Sequence, residues 1–264
     1  MGANKLTKKE YWENYWKAHN SMKVEEVNRP SASLTVKAIL DIFDKYLPVD
    51  ENLNAIEIGG SPGRYLVYIA KNFKYNAHSL DYSKIGNEQT MKNFTTAGIP
   101  VEIYDRDLFS ENFNKGIPLF DIVYSLGFIE HFQDLNLVVK KHTELLKSGG
   151  ILILGVPNLR AGIYRYLLRR MAPEVLDLHN LNSMKIKNWK NLEKEFSLIP
   201  LFTGYIGGFD PMVINKIKKN NLINLFLDFI VRKLIVIFYS KFNFLTKVNS
   251  RHWSGYLIGI YKKK

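Results

Sequence analysis

Cysteine is absent from this 264-residue chain. Its absence excludes a disulfide framework, a thiolate metal site and a cysteine nucleophile. Any metal would have to be held by His, Asp and Glu. Proline is scarce, at 9 residues, and glycine numbers 17, which excludes collagen-like and low-complexity structure. The opening residues, Met1-Gly-Ala-Asn-Lys5, run into charge instead of an apolar h-region, so no secretory signal is expected. A clean membrane span is lacking too. Residues 221–239 hold 14 apolar residues in 19, but Asp228, Arg232 and Lys233 interrupt the middle, each of them costly in lipid. What is present is ordinary for a soluble globular protein, at 46% hydrophobic and 23% charged, with length for a sizeable core.

The net charge of +12 is unevenly spread. Residues 51–158 carry ten Lys/Arg against twelve Asp/Glu, whereas residues 211–264 carry eleven against one. Such a basic tail suggests an anionic partner: a membrane surface, a nucleic acid or an acidic substrate.

Residues 8–18 read as an aromatic-rich helix and 31–46 as a second helix with Leu34, Ala38, Ile42 and Tyr46 on one face. An alternation of strand and helix follows. Strands are expected at Asn54–Gly59, Ala77–Asp81, Val101–Tyr104, Phe120–Ser125 and Ile151–Val156, with helices over 64–72, 84–96 and 134–147, the last stopped by Ser148-Gly149-Gly150. This order predicts a doubly wound α/β domain with a parallel sheet and right-handed crossovers. After Pro157 the pattern changes. Residues 159–180 read as basic and irregular, 183–195 as a helix, Leu198–Tyr205 as a strand closed by Gly207-Gly208, 212–246 as apolar helix, and Ser254–Tyr261 as the last strand.

The chemistry concentrates at the first turn, Glu57-Ile-Gly59-Gly60-Ser61-Pro62-Gly63. Glycines after the first strand let a ligand approach the backbone, at the end of the sheet where such folds bind nucleotides. Asp81 ends the second strand, 24 residues after Glu57, where a carboxylate accepts hydrogen bonds from both ribose hydroxyls of an adenosine.

Together these segments resemble the class I S-adenosylmethionine-dependent methyltransferases. The family's acid and spaced glycines appear as Glu57-x-Gly59-x-Ser61-x-Gly63, with serine for the middle glycine. The resemblance continues through Leu80–Ser83 (LDYS), Asp105-Arg-Asp107-Leu108, Phe120–Phe132 (FDIVYSLGFIEHF) and Leu145–Asn158 (LLKSGGILILGVPN). It covers about residues 50–160 and favours this family over nicotinamide-dependent dehydrogenases. It implies a Rossmann-like sheet of seven strands, mostly parallel, with the last strand antiparallel, N-terminal helices, and helical insertions after the fifth strand and before the last. The division implied is a helical extension or lid over 1–48 and a methyltransferase domain over 49–264. Within that domain lie a cofactor half, 50–158, and acceptor-side insertions, 159–197 and 211–250.

The resemblance implies S-adenosylmethionine as cofactor and S-adenosylhomocysteine as product. By that likeness Gly59, Gly60, Ser61 and Gly63 line the methionine end, with Glu57 holding the turn. Asp81 binds the ribose, the adjoining Tyr82 counts among the cofactor-binding residues, Asp107 faces the adenine amino group with Asp105 as rival, and Leu108 covers the ring. Ser125, Leu126 and Gly127 pass beneath the methionine moiety. The catalytic candidates are His131, on the loop after the fourth strand, and His179 in the added segment; His252 is weaker. A neutral imidazole suits removal of a hydroxyl proton. Some quinone-pathway methyltransferases hold a metal on this loop with two Glu and a His. Glu130 and His131 match two of those positions, but Gly127 stands at the third, so no metal is expected.

The expected reaction is methyl transfer to a small-molecule acceptor, most plausibly a hydroxyl, in natural-product, glycan or lipid-linked biosynthesis. Arg160, Arg165, Arg169 and Arg170 read either as anion ligands or as a solvated helix face. Residues 221–239 form an amphipathic pattern whose cover is the sheet, a second copy in a homodimer, or an anionic membrane surface touched weakly through 211–250. A cytoplasmic protein, at most peripheral to the membrane, is expected. Nucleic-acid (RNA) methylation ranks lower, because no Asn-Pro-Pro-Tyr-type motif or RNA-binding module is present. A non-catalytic cofactor-binding subunit ranks lower still, given the intact cofactor half.

Overall fold

The computed structural model describes residues 4–19, 33–209 and 248–264. Five strands run parallel in the first part of the sheet: β1 (Asn54–Ile58), β2 (Asn76–Asp81), β3 (Val101–Asp105), β4 (Phe120–Leu126) and β5 (Leu146–Pro157). Two more, β6 (Leu198–Phe209) and β7 (Ser254–Lys263), complete seven in the order β3-β2-β1-β4-β5-β7-β6. Strand β7 runs antiparallel to both of its neighbours, β5 and β6. The order reverses between β1 and β4, which places the carboxyl ends of β1, β2 and β4 around one crevice.

Helices α1 (Lys9–Ala18), α2 (Leu34–Tyr46), α3 (Arg64–Phe73), α4 (Lys84–Ala97), α5 (Leu135–Glu144), α6 (Gly162–Met171), α7 (Pro173–Asp177) and α8 (Ile186–Glu195) flank the sheet. One face is covered by Ile39, Leu40 and Phe43 of α2 and by Leu66, Ile69 and Phe73 of α3, packed on Ala55, Ile122, Tyr124, Ile258 and Ile260. The other is covered by Val138 and Val139 of α5, Leu168 of α6 and Trp189 and Leu192 of α8, packed on Ile56, Ile58, Val123, Leu152 and Leu154. A buried Leu, Ile or Phe contributes about 1.5–3 kcal/mol. The apolar runs of β4 and β5 therefore belong where both faces are covered.

Three expectations are corrected. The helix expected over 134–147 ends at Glu144, and β5 begins at Leu146, before the glycines. Phe120 pairs with Leu146 and Ile122 with Ile151, so Lys147–Gly150 bulges out of the strand instead of stopping a helix. Burial of Leu145 and Leu146 drives this. Residues 159–180, read as irregular, contain α6 and α7, the latter opened by Pro173 in the first turn. Strand β6 runs through Gly207-Gly208 to Phe209, because both glycines adopt positive φ at a register shift. The apolar stretch 221–239, with the dimer and membrane contacts expected of 211–250, lies outside the described residues. Among the described residues, no helix is long and apolar enough to cross a membrane.

Candidate cofactor and acceptor site

The turn after β1 is shaped for close approach. Gly59 (φ +64°) and Gly63 (φ +76°) occupy the left-handed region, which glycine enters without steric cost. A Cβ at Gly59 would lie 2.0 Å from the Phe128 ring, and one at Gly60 would lie 2.1 Å from Glu57 Cγ. Glu57 is buried beneath this turn, and desolvation pushes its carboxyl up to about 8. Ser61 is buried, and its hydroxyl packs so closely on Gly86 of α4 that a Cβ there would lie 2.5 Å from it. A serine thus stands at the middle glycine position without blocking the turn.

Asp81 ends β2 as a partly buried residue. The backbone N–H of Ser83 donates to Oδ1 at 2.9 Å and that of Ser61 to Oδ2 at 3.4 Å. Desolvation raises its pKa, and these donors oppose the rise. The turns after β1 and β2 are thereby tied to one carboxylate. Beside it, Tyr82 lies under the ammonium groups of Lys5 and Lys9, at 5.1 and 5.9 Å from the ring centre. Asp107 is half-buried. It accepts the Phe109 N–H at 2.9 Å and is paired with Lys5. Asp105, the rival, is exposed. Leu108 is buried in the core.

At the end of β4, Leu126 and Gly127 are partly exposed, and Gly127 adopts φ +78°. Ser125 differs: its side chain is fully buried and hydrogen-bonded to His142 Nε2 at 2.9 Å, inside the protein.

The loop after Gly127 forms a 3-10 turn over Ile129–His131. It is clasped by the segment after α7. The Asn180 N–H donates to Glu130 O at 2.6 Å, the Asn180 amide donates to Phe132 O at 2.9 Å, and His131 Nδ1–H donates to Leu178 O at 2.8 Å. This clasp brings together two residues read as rival bases: the rings of His131 and His179 are 4.7 Å apart. Glu130 joins them, its Oε1 lying 4.0 Å from His131 Nε2. Trp12 of α1 meets the His131 ring edge-on at 5.0 Å. His252 is exposed and bonded to Arg251, and has no part in the cluster. Three contributions escaped the sequence reading: Trp12 over His131, Lys5 on Asp107, and His179 as the neighbour of Glu130. None has a local signal, because each joins segments more than 45 residues apart.

Comparison with known proteins agrees with this geometry. Residues 56–154 match the family model of the methyltransferase domain. No curated protein sequence matches the chain. Among solved structures, it superposes on an O-methyltransferase family protein from Burkholderia thailandensis with a TM-score of 0.58 at 14% identity, covering 94% of this chain and 59% of that one. The chain thus spans under two thirds of that relative. A geranyl diphosphate C-methyltransferase from Streptomyces coelicolor, solved with Mg2+, geranyl diphosphate and S-adenosylhomocysteine, gives 0.57 at 14% identity, with 85% and 78% covered. A coclaurine N-methyltransferase bound to N-methylheliamine and S-adenosylhomocysteine gives 0.55 at 13%, with 85% and 71% covered. Residues 56–154 thus match a methyltransferase domain, and the chain shares the fold of these enzymes. S-Adenosylhomocysteine, the demethylated form of S-adenosylmethionine, is bound in two of these structures. The residues present fit it, with side-chain-free backbone at Gly59 and Gly63 and a braced carboxylate at Asp81.

Proposed function

We propose that the chain methylates a hydroxyl oxygen of a small-molecule acceptor. The observation that carries this reading is the oriented imidazole of His131 beside the carboxylate of Glu130, on the loop that follows Gly127. A neutral amine offers its lone pair directly, whereas a hydroxyl must lose its proton as it attacks. A buried imidazole–carboxylate pair is therefore the equipment an oxygen acceptor requires.

When bound, S-adenosylmethionine supplies a methyl group already activated on a sulfonium sulfur. The chain's task is alignment and proton removal. Asp81 fixes the ribose and the Gly59–Gly63 turn the methionine end. His131 donates Nδ1–H to Leu178 O, which makes Nε2 the proton-accepting atom. Glu130 stabilises the imidazolium that results, and Trp12 covers the ring against water. The acceptor lies against α1 and the 159–197 insertion, the segments that border this cluster.

The test is a methyl-transfer screen over hydroxyl, amine and carbon acceptors, combined with His131→Ala. Methylation of a hydroxyl is expected, with turnover falling about 10²–10⁴-fold in the variant while binding of S-adenosylhomocysteine holds. Methylation confined to nitrogen or carbon, with His131→Ala as active as wild type, would overturn the reading.

A further inference from the structure

We infer that Glu130, His131 and His179 form a binding site for one divalent transition-metal ion. Each offers a ligand atom, and the three atoms lie within 4.8 Å of one another. Glu130 and His131 are buried and His179 is half-buried, so the donors face one another away from bulk water. Two imidazoles and one carboxylate suit zinc and its first-row neighbours, and are the donor set of catalytic sites that keep a position open. Magnesium and calcium prefer all-oxygen shells.

A second observation points the same way. Each imidazole is locked by a backbone carbonyl through Nδ1: His131 by Leu178 O and His179 by Val175 O. Both rings therefore present Nε2 as the lone-pair nitrogen. Orientation by an outer partner of this kind accompanies most histidine ligands. The scaffold is also fixed, since Asn180 ties the segment carrying His179 to the carbonyls of Glu130 and Phe132. Ligand atoms about 2.1 Å from a tetrahedral ion sit roughly 3.4 Å apart. Closure of at most about 1.4 Å at the side-chain ends completes the shell, within the reach of rotamer adjustment. The loop alone lacks a third donor, since Gly127 has no side chain. His179 supplies it from the segment after β5.

The consequence for chemistry rests on the hydroxyl-acceptor reading above. An ion at this cluster binds the acceptor oxygen at its open position and acidifies the hydroxyl. With an ion bound, His131 Nε2 would be a ligand and no longer the base, and the acidified hydroxyl would release its proton to solvent water.

The experiment uses the full chain without a polyhistidine tag. The protein is stripped with EDTA, titrated with Zn2+ and with Mn2+ by calorimetry, and assayed for retained metal after dialysis. S-Adenosylhomocysteine binding is measured in the same samples. One Zn2+ per chain is expected. His179→Ala and Glu130→Gln should weaken metal binding at least about tenfold, while His252→Ala leaves it unchanged. If His179→Ala fails to fold, His179→Gln takes its place, with product binding as the control for folding. A folded wild-type protein that binds no stoichiometric ion, or His179 variants that bind it equally well, would overturn the site. Full hydroxyl methylation by metal-free protein would overturn the ion's part in the acceptor step and leave the hydroxyl reading standing.

Discussion

The carboxylate of Glu13 on α1 accepts the backbone N–H of Lys84 at 2.8 Å, across 71 residues of sequence. It also accepts the N–H of Ile85 at 3.2 Å, so a side chain of the N-terminal helix satisfies the first turn of α4. The Gln89 amide returns the contact by donating to Trp16 O at 2.8 Å. Helix α1 is thereby tied to the helix that follows Asp81, with Trp12 reaching His131. Glu13→Ala should lower stability by about 0.5–2 kcal/mol, as loss of a cap does. It should also speed release of S-adenosylhomocysteine, because α1 is then held less firmly beside the nucleoside end. Urea melts and stopped-flow release measure the two effects, and an unchanged release rate would show that α1 has no part in retention.

Asp81 is the residue on which cofactor affinity should depend most. It braces the Ser61 and Ser83 turns and presents the only carboxylate at the end of β2. Asp81→Asn should weaken S-adenosylhomocysteine binding by about 1.5–3 kcal/mol, the worth of a charge-assisted hydrogen bond. Asp107→Asn should cost less, since Asp107 is half-buried and already paired with Lys5. Calorimetry on the two variants ranks them, and equal affinity in wild type and Asp81→Asn would remove Asp81 from the site.

How much of this was legible in the sequence follows from the range of the interactions. Strands β1 to β5 were readable because each is a short apolar run bounded by a turn. The glycine turn was readable because Gly59 and Gly63 serve their own backbone geometry. The start of β5 was misplaced because its driving contact, Phe120 with Leu146, is nonlocal, while Ser148-Gly149-Gly150 looks locally like a helix stop. Ser125 reads as a cofactor neighbour by its place near the end of β4, yet its partner His142 lies inside the fold. His131 and His179 each read as a candidate base, but no local pattern could show that they share one cluster.

Glu57 makes stability depend on pH in an unusual direction. Its carboxyl is raised from an ordinary 4.5 to about 8 in the folded protein, chiefly by desolvation beneath Gly60. The folded state therefore holds a proton that the unfolded state has released. The stabilisation is full below about 4.5 and is lost as pH rises through about 8. Each pH unit in that window costs at most roughly 1.4 kcal/mol. Glu57→Gln keeps the shape without the titration, so its stability should fall less than that of wild type between pH 6.5 and 8. Parallel slopes in urea melts would place the charge of Glu57 elsewhere.

His142 acts in the opposite sense. It is fully buried, donates Nδ1–H to Val138 O at 2.8 Å and accepts the Ser125 hydroxyl on Nε2 at 2.9 Å. Burial pushes its imidazole down from 6.5 to about 4. The unfolded chain binds a proton there that the folded chain refuses. The stabilisation is therefore complete above about 6.5 and is lost as pH falls through about 4. Between 4.5 and 6.5 the two groups oppose each other, so their joint effect on stability is nearly flat there. Above 6.5 Glu57 alone titrates, and below 4.5 His142 alone does. His142→Gln should cost about 1–3 kcal/mol at pH 7, because the Ser125 hydroxyl loses a well-placed acceptor. That deficit should shrink as pH falls, since the variant has no imidazole to protonate on unfolding. Urea melts at pH 7, 6 and 5 measure the difference between variant and wild type, which cancels the other carboxylates. A deficit that stays constant with pH would mean that His142 carries the same charge in both states.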